Sequence, residues 1–336
     1  MIKIREYLNK IKEFIIKYRL YFLIMGVVLS LSLPLFLSNY WLGILCRVLF
    51  YATLAGSLNV ITGYSGQMNI GHAGFVSIGA YVGAIIGTRL GWHFIVQLIL
   101  GGICAGIVAW GLSKPILRLR GTYMAIITMG FCEIVRIIAL NWTSITGGTL
   151  GLKNIPVPVF FGLKINSPKY YYYIFIILLA VFLFFTRRIL DSRVGRAWIS
   201  IREDETASKS LGVKLAHYRS INMVYGAVWA GILGAAIGPY YRYISPDMFN
   251  MDMSFNIQAM VILGGQGTLI GPVFGAIIIT LITELFRFAA EWRMIFYAVL
   301  IIVMMWIRPQ GIIGASNSVI SGKSIKKKGS GKWAYF

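Results

Sequence analysis

The chain has few acidic residues, few histidines and few cysteines, and each scarcity excludes a kind of site. Its 336 residues include 11 Asp and Glu, three His and three Cys. The sequence contains no H-E-x-x-H or C-x-x-C pattern and no serine in a G-x-S-x-G turn. The cysteines lie in apolar stretches without partner spacing, which predicts free thiols rather than metal ligands or disulfides. We therefore expect no metal site, no catalytic site and no enzymatic activity in this chain.

The chain also lacks a complete phosphate-binding loop. Its tail contains Ser321-Gly322-Lys323-Ser324, which looks like the end of such a loop. The glycine that the loop needs five positions before Gly322 is replaced by Asn317, and no predicted strand precedes it. Any ATP chemistry is therefore expected in another chain.

Apolar residues are abundant instead. The composition is 58% hydrophobic and 13% charged, with 37 glycines and a mean hydropathy of +0.75, which predicts an all-α polytopic membrane protein. The formal net charge of +21 comes from basic residues gathered in short blocks between apolar runs. That pattern is typical of cytoplasmic loops, so we expect no nucleic-acid partner.

The N-terminal segment predicts a retained first span with a cytoplasmic start. Residues 1–19 hold six Lys or Arg, and the apolar run 20–37 follows. A cleaved signal peptide is the alternative, but this run is longer than the usual apolar core of a signal peptide and lacks a small-x-small cleavage site.

Seven further runs have about the length that a bilayer demands. They are residues 41–62, 70–87, 94–112, 121–140, 170–185, 221–241 and 294–307. The region between the last two holds two apolar runs, 255–264 and 271–282, that are too short to cross comfortably. A transmembrane domain is thus expected over residues 20–312, with the basic cytoplasmic segment 1–19 before it and a basic, disordered cytoplasmic tail, 313–336, that touches anionic lipid.

Orientation follows from the basic blocks. They lie before residue 20, at 114–120, at 187–219 and after 308, which places all four on the cytoplasmic side. With both termini inside, the number of crossings is even, so region 255–282 must start and finish outside. Two short crossings or a pair of re-entrant half-helices satisfy this, giving about ten membrane segments.

Two glycine-broken regions resemble each other. Gly66-Gln67 is followed by Gly71, and Gly265-Gln266 is likewise followed by Gly271. Irregular backbone at membrane depth is tolerated only against protein or along a watery path, and broken segments in the two halves of a transporter point to its translocation site. Helix packing through small residues explains the glycines equally well. The predicted path residues are Gly66, Gln67, Asn69, Gly71, His72, Gly264, Gly265 and Gly267.

Three ionisable residues lie inside predicted spans and each has two interpretations. His72 is either a hydrogen-bonded packing residue or a proton relay. Glu133 and Arg136, three residues apart on one helical face, form either a structural pair or a contact for solute. We take Glu133 to be the only deeply placed carboxylate, and with Arg136 beside it an ion-coupled secondary transporter is disfavoured.

The cytoplasmic loop 187–219 is organised rather than merely charged. Ser192 can cap a helix whose apolar residues recur at helical spacing, and a second short helix from Asp204 can stop at Gly212. Two short helices with an apolar stripe and a charged rim suit docking to a soluble partner.

Five segments together resemble the LivM-type permease of branched-chain amino acid ABC transporters. The first two are G-Y-S-G-Q-M-N-I-G-H-A-G-F-V-S-I-G-A-Y and L-R-G-T-Y-M-A-I-I-T-M-G-F-C-E-I-V-R. The others are N-W-T-S-I-T-G-G-T-L-G, G-R-A-W-I-S-I-R-E-D-E-T-A-S-K-S-L-G and I-L-G-G-Q-G-T-L-I-G-P-V-F-G-A. Their order and spacing match over residues 56–311. Urea and short-chain amide permeases share the pattern, so the solute stays open.

The resemblance implies an importer subunit of the bacterial plasma (inner) membrane that provides a path for Leu, Ile or Val. Its implied partners are a second, LivH-like permease, two cytosolic ATPase subunits that use ATP and Mg, and an extracytoplasmic solute-binding protein. No cofactor is expected in this chain. The segment 196–212 would couple it to the ATPases, since Ala207-Ser208 followed by Gly212 is similar to the small-small-x3-glycine pattern of permease loops. The implied coupling residues are Arg196, Arg202, Glu203, Asp204, Ala207 and Gly212.

Overall fold

A computed structural model describes residues 32–34, 36–116, 121–160, 163–285, 299, 302, 306 and 311–314. The predictions for segment 1–19, for most of the first and last spans and for most of the tail 313–336 lie outside these residues.

The described chain is almost entirely helical. Its α-helices are α1 (Asn39–Asn59), α2 (His72–Ile85), α3 (Phe94–Ile116), α4 (Thr122–Asn141), α5 (Thr143–Thr146), α6 (Pro168–Leu190), α7 (Arg193–Glu203), α8 (Glu205–Ser210), α9 (Leu215–Tyr241), α10 (Met251–Gly264) and α11 (Gly271–Leu285). Single π-helical turns, Val60–Tyr64 and Ile86–Leu90, extend α1 and α2.

Strand structure is confined to two-residue pairs in the connections. Strand β1 (Leu152–Lys153) pairs antiparallel with β4 (Tyr243–Ile244), with Leu152 opposite Ile244. Strand β2 (Val159–Phe160) pairs antiparallel with β3 (Leu163–Lys164). The first pair ties the connection after α4 to the end of α9.

Within the described ranges, six helices are long and apolar enough to cross a bilayer, which confirms the all-α multi-pass class. They are Asn39–Tyr64, His72–Leu90, Phe94–Pro115, Thr122–Asn141, Pro168–Leu190 and Leu215–Tyr241. Each corresponds to a predicted span. The last two begin or end several residues outside the predicted bounds, because a helix continues through charged residues such as Arg187 and Arg188 where these lie in its last turn, near the negative end of the helix dipole.

The short apolar runs form two short helices joined by a turn. Helix α10 has 14 residues, and α11 is described over 15. At about 1.5 Å per residue each is shorter than the roughly 30 Å of hydrocarbon. The turn between them, residues 265–270, is therefore irregular backbone close to one end of the bundle.

The helices alternate between two ends of the bundle. We call the end that carries α7 and α8 the loop end. Ser113 at the close of α3 meets Ser220 near the start of α9, with 2.7 Å between the hydroxyl oxygens, so both lie at the loop end. The amides of Ile312 and Ile313 donate to the carbonyls of Leu263 and Gly264, at 3.0 and 3.1 Å, which brings residues 311–314 to the same end.

Small residues let α9 pack at very short distance between α2 and α3. A Cβ on Gly231 of α9 would lie 2.5 Å from the carbonyl oxygen of Gly101 and 2.6 Å from the Cβ of Ala105. On the other side, a Cβ on Gly79 would overlap the backbone of Gly231. Since lipid tails are as apolar as leucine, such backbone contact is what holds helices together in a membrane.

Replacing Gly231 by alanine is expected to destabilise the bundle by about 1–3 kcal/mol, because the added methyl overpacks the α3–α9 contact. The control is Gly111→Ala in α3, where nothing lies within 4 Å and where the higher helix propensity of alanine is neutral or favourable. The thermal midpoint of the detergent-solubilised protein measures both. Equal midpoints for the two variants would contradict the close α3–α9 contact.

Candidate functional site

The second glycine-broken segment lies against the end of α1 at the loop end, and Asn59 holds it there. Asn59 is the last residue of α1 and is 1% exposed. Its amide nitrogen donates to the carbonyl of Thr268 at 2.8 Å, and its amide oxygen accepts from the backbone N–H of Gly267 at 2.9 Å. The side chain thereby satisfies two backbone groups of the turn 265–270, which no helix satisfies.

The first break, residues 66–71, is held by α9. The Gln67 amide nitrogen donates to the Asn222 side-chain oxygen at 3.1 Å, the Ser65 hydroxyl at 2.9 Å and the Arg219 carbonyl at 3.3 Å. Asn222 in turn donates to the carbonyl of Val60 at 2.9 Å. Gln67 is therefore buried and anchored through its nitrogen, while its side-chain oxygen has no partner among the described residues.

His72 begins α2 and is fully buried. Its Nε2 lies 2.8 Å from the Ser57 hydroxyl of α1. Asn69, just before it, accepts from the Gly71 N–H at 2.9 Å through its side-chain oxygen. Within the described residues, Nδ1 of His72 and the Asn69 amide nitrogen have no hydrogen-bond partner. The break thus presents a donor and a ring nitrogen to the interior of the bundle.

The polar lining continues onto helices that the sequence analysis did not single out. Ser254 of α10 accepts from the Ala73 N–H at 3.0 Å, and Thr128 of α4 accepts from the Ile70 N–H at 3.1 Å. Their signal was only a single hydroxyl in an apolar run, which is too common to identify a site. The structure brings these hydroxyls to the first break.

Several glycines of the predicted path serve close packing. A Cβ on Gly71 would overlap the carbonyl oxygen of Thr128, and one on Gly264 would overlap that of Gly271. Gly265 contacts Gly311, whose Cβ would lie 2.5 Å from the Gly265 Cα. At these positions the glycines pack directly against neighbouring backbone. They therefore fit the alternative in which small residues serve helix packing. Gly66 and Gly267 differ, since both face Arg202.

Glu133 and Arg136 lie together on α4 near the opposite end of the bundle. Arg136 Nε donates to Glu133 at 3.0 Å, and its Nη1 lies 3.0 Å from an Asp247 carboxylate oxygen. The two side chains of the α4 pair are 33% and 26% exposed. A partly exposed ion pair on a membrane helix needs protein or water beside it rather than lipid.

A second carboxylate lies in an apolar helix, and the expectation that Glu133 is the only one was wrong. Glu284 of α11 accepts from Arg47 of α1 at 2.7 Å and from the Tyr40 hydroxyl at 2.6 Å. Its side chain is 11% exposed. The sequence analysis missed it because residue 284 fell between two predicted segments. Like Glu133, Glu284 is neutralised by an arginine, so the argument against ion coupling is unchanged.

Helices α7 and α8 form the predicted capped pair at the loop end. The Ser192 hydroxyl accepts from the Val194 N–H at 3.1 Å, and the Asp204 carboxylate accepts from the N–H groups of Thr206 and Ala207 at 2.8 and 2.9 Å. The buried Trp198 donates to the carbonyl of Tyr218 at 2.9 Å, which fixes α7 to α9. This confirms the Ser192 cap and the two short helices, and it adds the Asp204 cap.

The predicted coupling residues divide into an outward and an inward set. Ala207 and Gly212 are exposed around Leu211, which is itself 84% exposed, and Gly212 ends the pair with a φ of +81°. Glu203 and Asp204 are also exposed. Arg196 donates to the carbonyl of Asp191 at 2.9 Å. Arg202 is also exposed overall, but its guanidinium reaches the end of α1 and donates to the carbonyl of Gly63.

The comparison with known proteins matches this architecture to one family. A family profile described as "Branched-chain amino acid transport system / permease component" matches residues 40–306. The chain belongs to this permease family. It is 33% identical over 331 residues to the "High-affinity branched-chain amino acid transport system permease protein LivM" of Escherichia coli K12, covering 92% of this chain and 78% of the relative.

Two more distant relatives extend the likeness. The "Probable branched-chain amino acid transport permease protein LivM" of Methanocaldococcus jannaschii is 23% identical over 78% of this chain and 90% of its own length. The "Autoinducer 2 import system permease protein LsrC" of Enterobacter sp. strain 638 is 26% identical over 80% of this chain and 78% of its own length. No solved structure matches the chain. The chain is thus a membrane permease of this family.

The Asn59→Ala variant tests whether the Asn59 side chain holds the turn 265–270 against the end of α1. Asn59→Ala leaves a buried N–H and a buried carbonyl unpaired, and each unpaired group is expected to lower the free energy of unfolding by roughly 1–3 kcal/mol. We expect faster hydrogen exchange at the Gly267 amide and a lower thermal midpoint. Asn141→Ala is the control, because that amide donates to the Ile137 carbonyl at an exposed position. Unchanged exchange at Gly267 in Asn59→Ala would contradict the bridge.

Proposed function

We propose that the chain forms the translocation path for leucine, isoleucine or valine in an ATP-driven importer. The observation that supports this most is the meeting of the two broken segments beside α7, at the end of the bundle that also carries the exposed pair α7–α8. Such an arrangement joins a polar interior to a surface suited to a soluble partner.

The loop end is the cytoplasmic side in this proposal. Its connection, residues 187–219, is rich in Lys and Arg, and residues 311–314 reach the same end just before the basic tail. Both termini are then cytoplasmic, and about ten segments cross or enter the bacterial plasma (inner) membrane. The transmembrane domain covers residues 20–312, between the basic segments 1–19 and 313–336.

The interior of the path is formed by the first break. Gln67, Asn69 and His72 offer hydrogen-bonding atoms that the described protein leaves without a partner. Backbone of Gly66 and of the turn 265–270 lies beside them. A path with a few such atoms passes a zwitterionic solute without holding it tightly, so affinity resides in a separate extracytoplasmic binding protein.

A second permease chain covers α4. Its large apolar side chains point away from the bundle, with Tyr123 71% exposed, and the Glu133–Arg136 pair lies on the same helix at partial exposure. Lipid alone would solvate the apolar side chains of α4 but not its ion pair. A LivH-like partner that faces α4 provides the protein or water that the charges need.

ATP hydrolysis takes place in two cytosolic ATPase subunits that carry ATP and Mg, and no cofactor is bound by this chain. The short helix α8, with Ala207 and Leu211 exposed and Ser208 buried beneath, is the surface that enters an ATPase groove. Membrane lipid is the remaining partner. The exposed Leu211, which follows the capped helix α8, supports docking to the ATPase at this surface.

This function predicts ATP-dependent leucine uptake by vesicles that hold the chain with its co-purified partners. Gly212→Val is expected to reduce that uptake by about tenfold, because valine does not adopt the φ of +81° that ends α8. The matched control is Gly91→Val, which has a φ of +63° and nothing within 4 Å at the opposite end.

Parallel uptake of radiolabelled urea distinguishes the solutes. ATP-dependent uptake of urea but not leucine would change the substrate and keep the importer. Uptake that does not depend on ATP and follows an ion gradient would overturn the proposal. Equal losses of leucine uptake in Gly212→Val and Gly91→Val would overturn the coupling role of α8.

A further inference from the structure

Arg202 is the residue through which the cytoplasmic helices contact both broken segments. It is the penultimate residue of α7, and its Nη1 donates to the carbonyl of Gly63, at the end of the π-helical turn that extends α1. On the other side of the guanidinium lies the second break, because a Cβ on Gly267 would overlap the same Nη1. One side chain therefore spans the first and second breaks.

The rest of Arg202 lies along the first break. A Cβ on Gly66 would be 3.5 Å from the Arg202 Cγ and 3.7 Å from its Cα. A Cβ at 66 would only touch the arginine, whereas glycine at 267 leaves the space that the guanidinium occupies. Both glycines also have positive φ, +70° and +76°, so both turns depend on glycine conformations at the point where the arginine passes.

A second connection runs parallel to the first. Glu205, the first residue of α8, accepts from Arg219 at 2.9 and 3.2 Å. The carbonyl of Arg219 accepts from Gln67 in the first break at 3.3 Å. A cavity of about 250 Å³ lies between these two connections, lined by residues that include Gly66, Gln67, Arg202 and Arg219. The first break therefore has open space beside α7.

Helix α7 is stiffer than the two breaks that it contacts. Helix α7 is a capped helix fixed by the buried Trp198, so it moves as a unit. The breaks carry few helical hydrogen bonds, and such segments absorb the φ and ψ changes of a hinge. A charge-assisted hydrogen bond from arginine to a carbonyl is stronger than a neutral one, and the guanidinium that makes it also contacts the second break at Gly267.

We infer that Arg202 is a positioning residue that transmits displacement of α7–α8 to both breaks and so sets the opening of the path at the loop end. The inference rests on the proposed ATP-driven import function and adds the residue that connects it to the path. Arg202 acts on backbone, through Gly63 and beside Gly267, and has no need to touch solute or ATPase.

The test is made on the reconstituted complex, with leucine uptake and ATP hydrolysis measured on the same vesicles. Arg202→Ala is expected to retain the ATPase subunits and to hydrolyse ATP within about twofold of wild type, while leucine transported per ATP falls about tenfold. Arg202→Lys restores part of that ratio, because the ammonium reaches the Gly63 carbonyl but not both segments. Arg193→Ala, at the exposed start of the same helix, leaves the ratio unchanged.

A second variant covers the case in which Arg202→Ala fails to assemble. Gly267→Ala places a methyl group where the guanidinium lies and is expected to lower the same ratio, whereas Gly91→Ala, which has positive φ without neighbours, does not. An unchanged ratio in both Arg202→Ala and Gly267→Ala overturns the inference, and so does a parallel loss of hydrolysis and uptake. Absence of ATP-dependent uptake in wild type would instead overturn the proposed function.

Discussion

The double hydrogen bond of Asn59 is the constraint on which the loop end depends. A membrane offers no water to unpaired peptide groups, so a chain that interrupts two helices must satisfy the freed groups from within. Asn59 satisfies one donor and one acceptor of the turn 265–270 from the end of α1. In the first break, Thr128 of α4 accepts from the Ile70 N–H, and Asn222 of α9 accepts from the Gln67 side chain. The irregular backbone exists because amides on intact helices replace its missing helical partners.

Close packing supplies the rigidity that these bonds need. With Gly79, Gly101 and Gly231 in backbone contact, α2, α3 and α9 have little freedom to slide past each other. The long helices therefore act as a frame. The breaks are the parts whose hydrogen bonds run between segments rather than within one helix, so conformational change concentrates there, beside the stiffer pair α7–α8.

The sequence predicted the helices well and the meeting of the breaks only partly. Span positions follow from apolar length, and the caps at Ser192 and Asp204 follow from local chemistry, so both were predictable. That Gly66 and Gly267 face the same arginine was not, because the contact joins residues 202 and 267 across the bundle. The Arg47–Glu284 pair was missed for the same reason. Local pattern gives elements, whereas contacts between distant residues depend on how the helices pack.

In the proposed path, the commitment of polar atoms to protein hydrogen bonds favours passage of the solute over its retention. One polar atom of each side chain already has a hydrogen bond to protein: the nitrogen of Gln67, the oxygen of Asn69 and Nε2 of His72. What remains for a solute is one atom of each side chain, and affinity requires several well-placed partners that strengthen one another. A tight site at this depth would also hold the solute through each cycle and slow its release. Weak, partly committed groups beside a hinge are the arrangement that import demands.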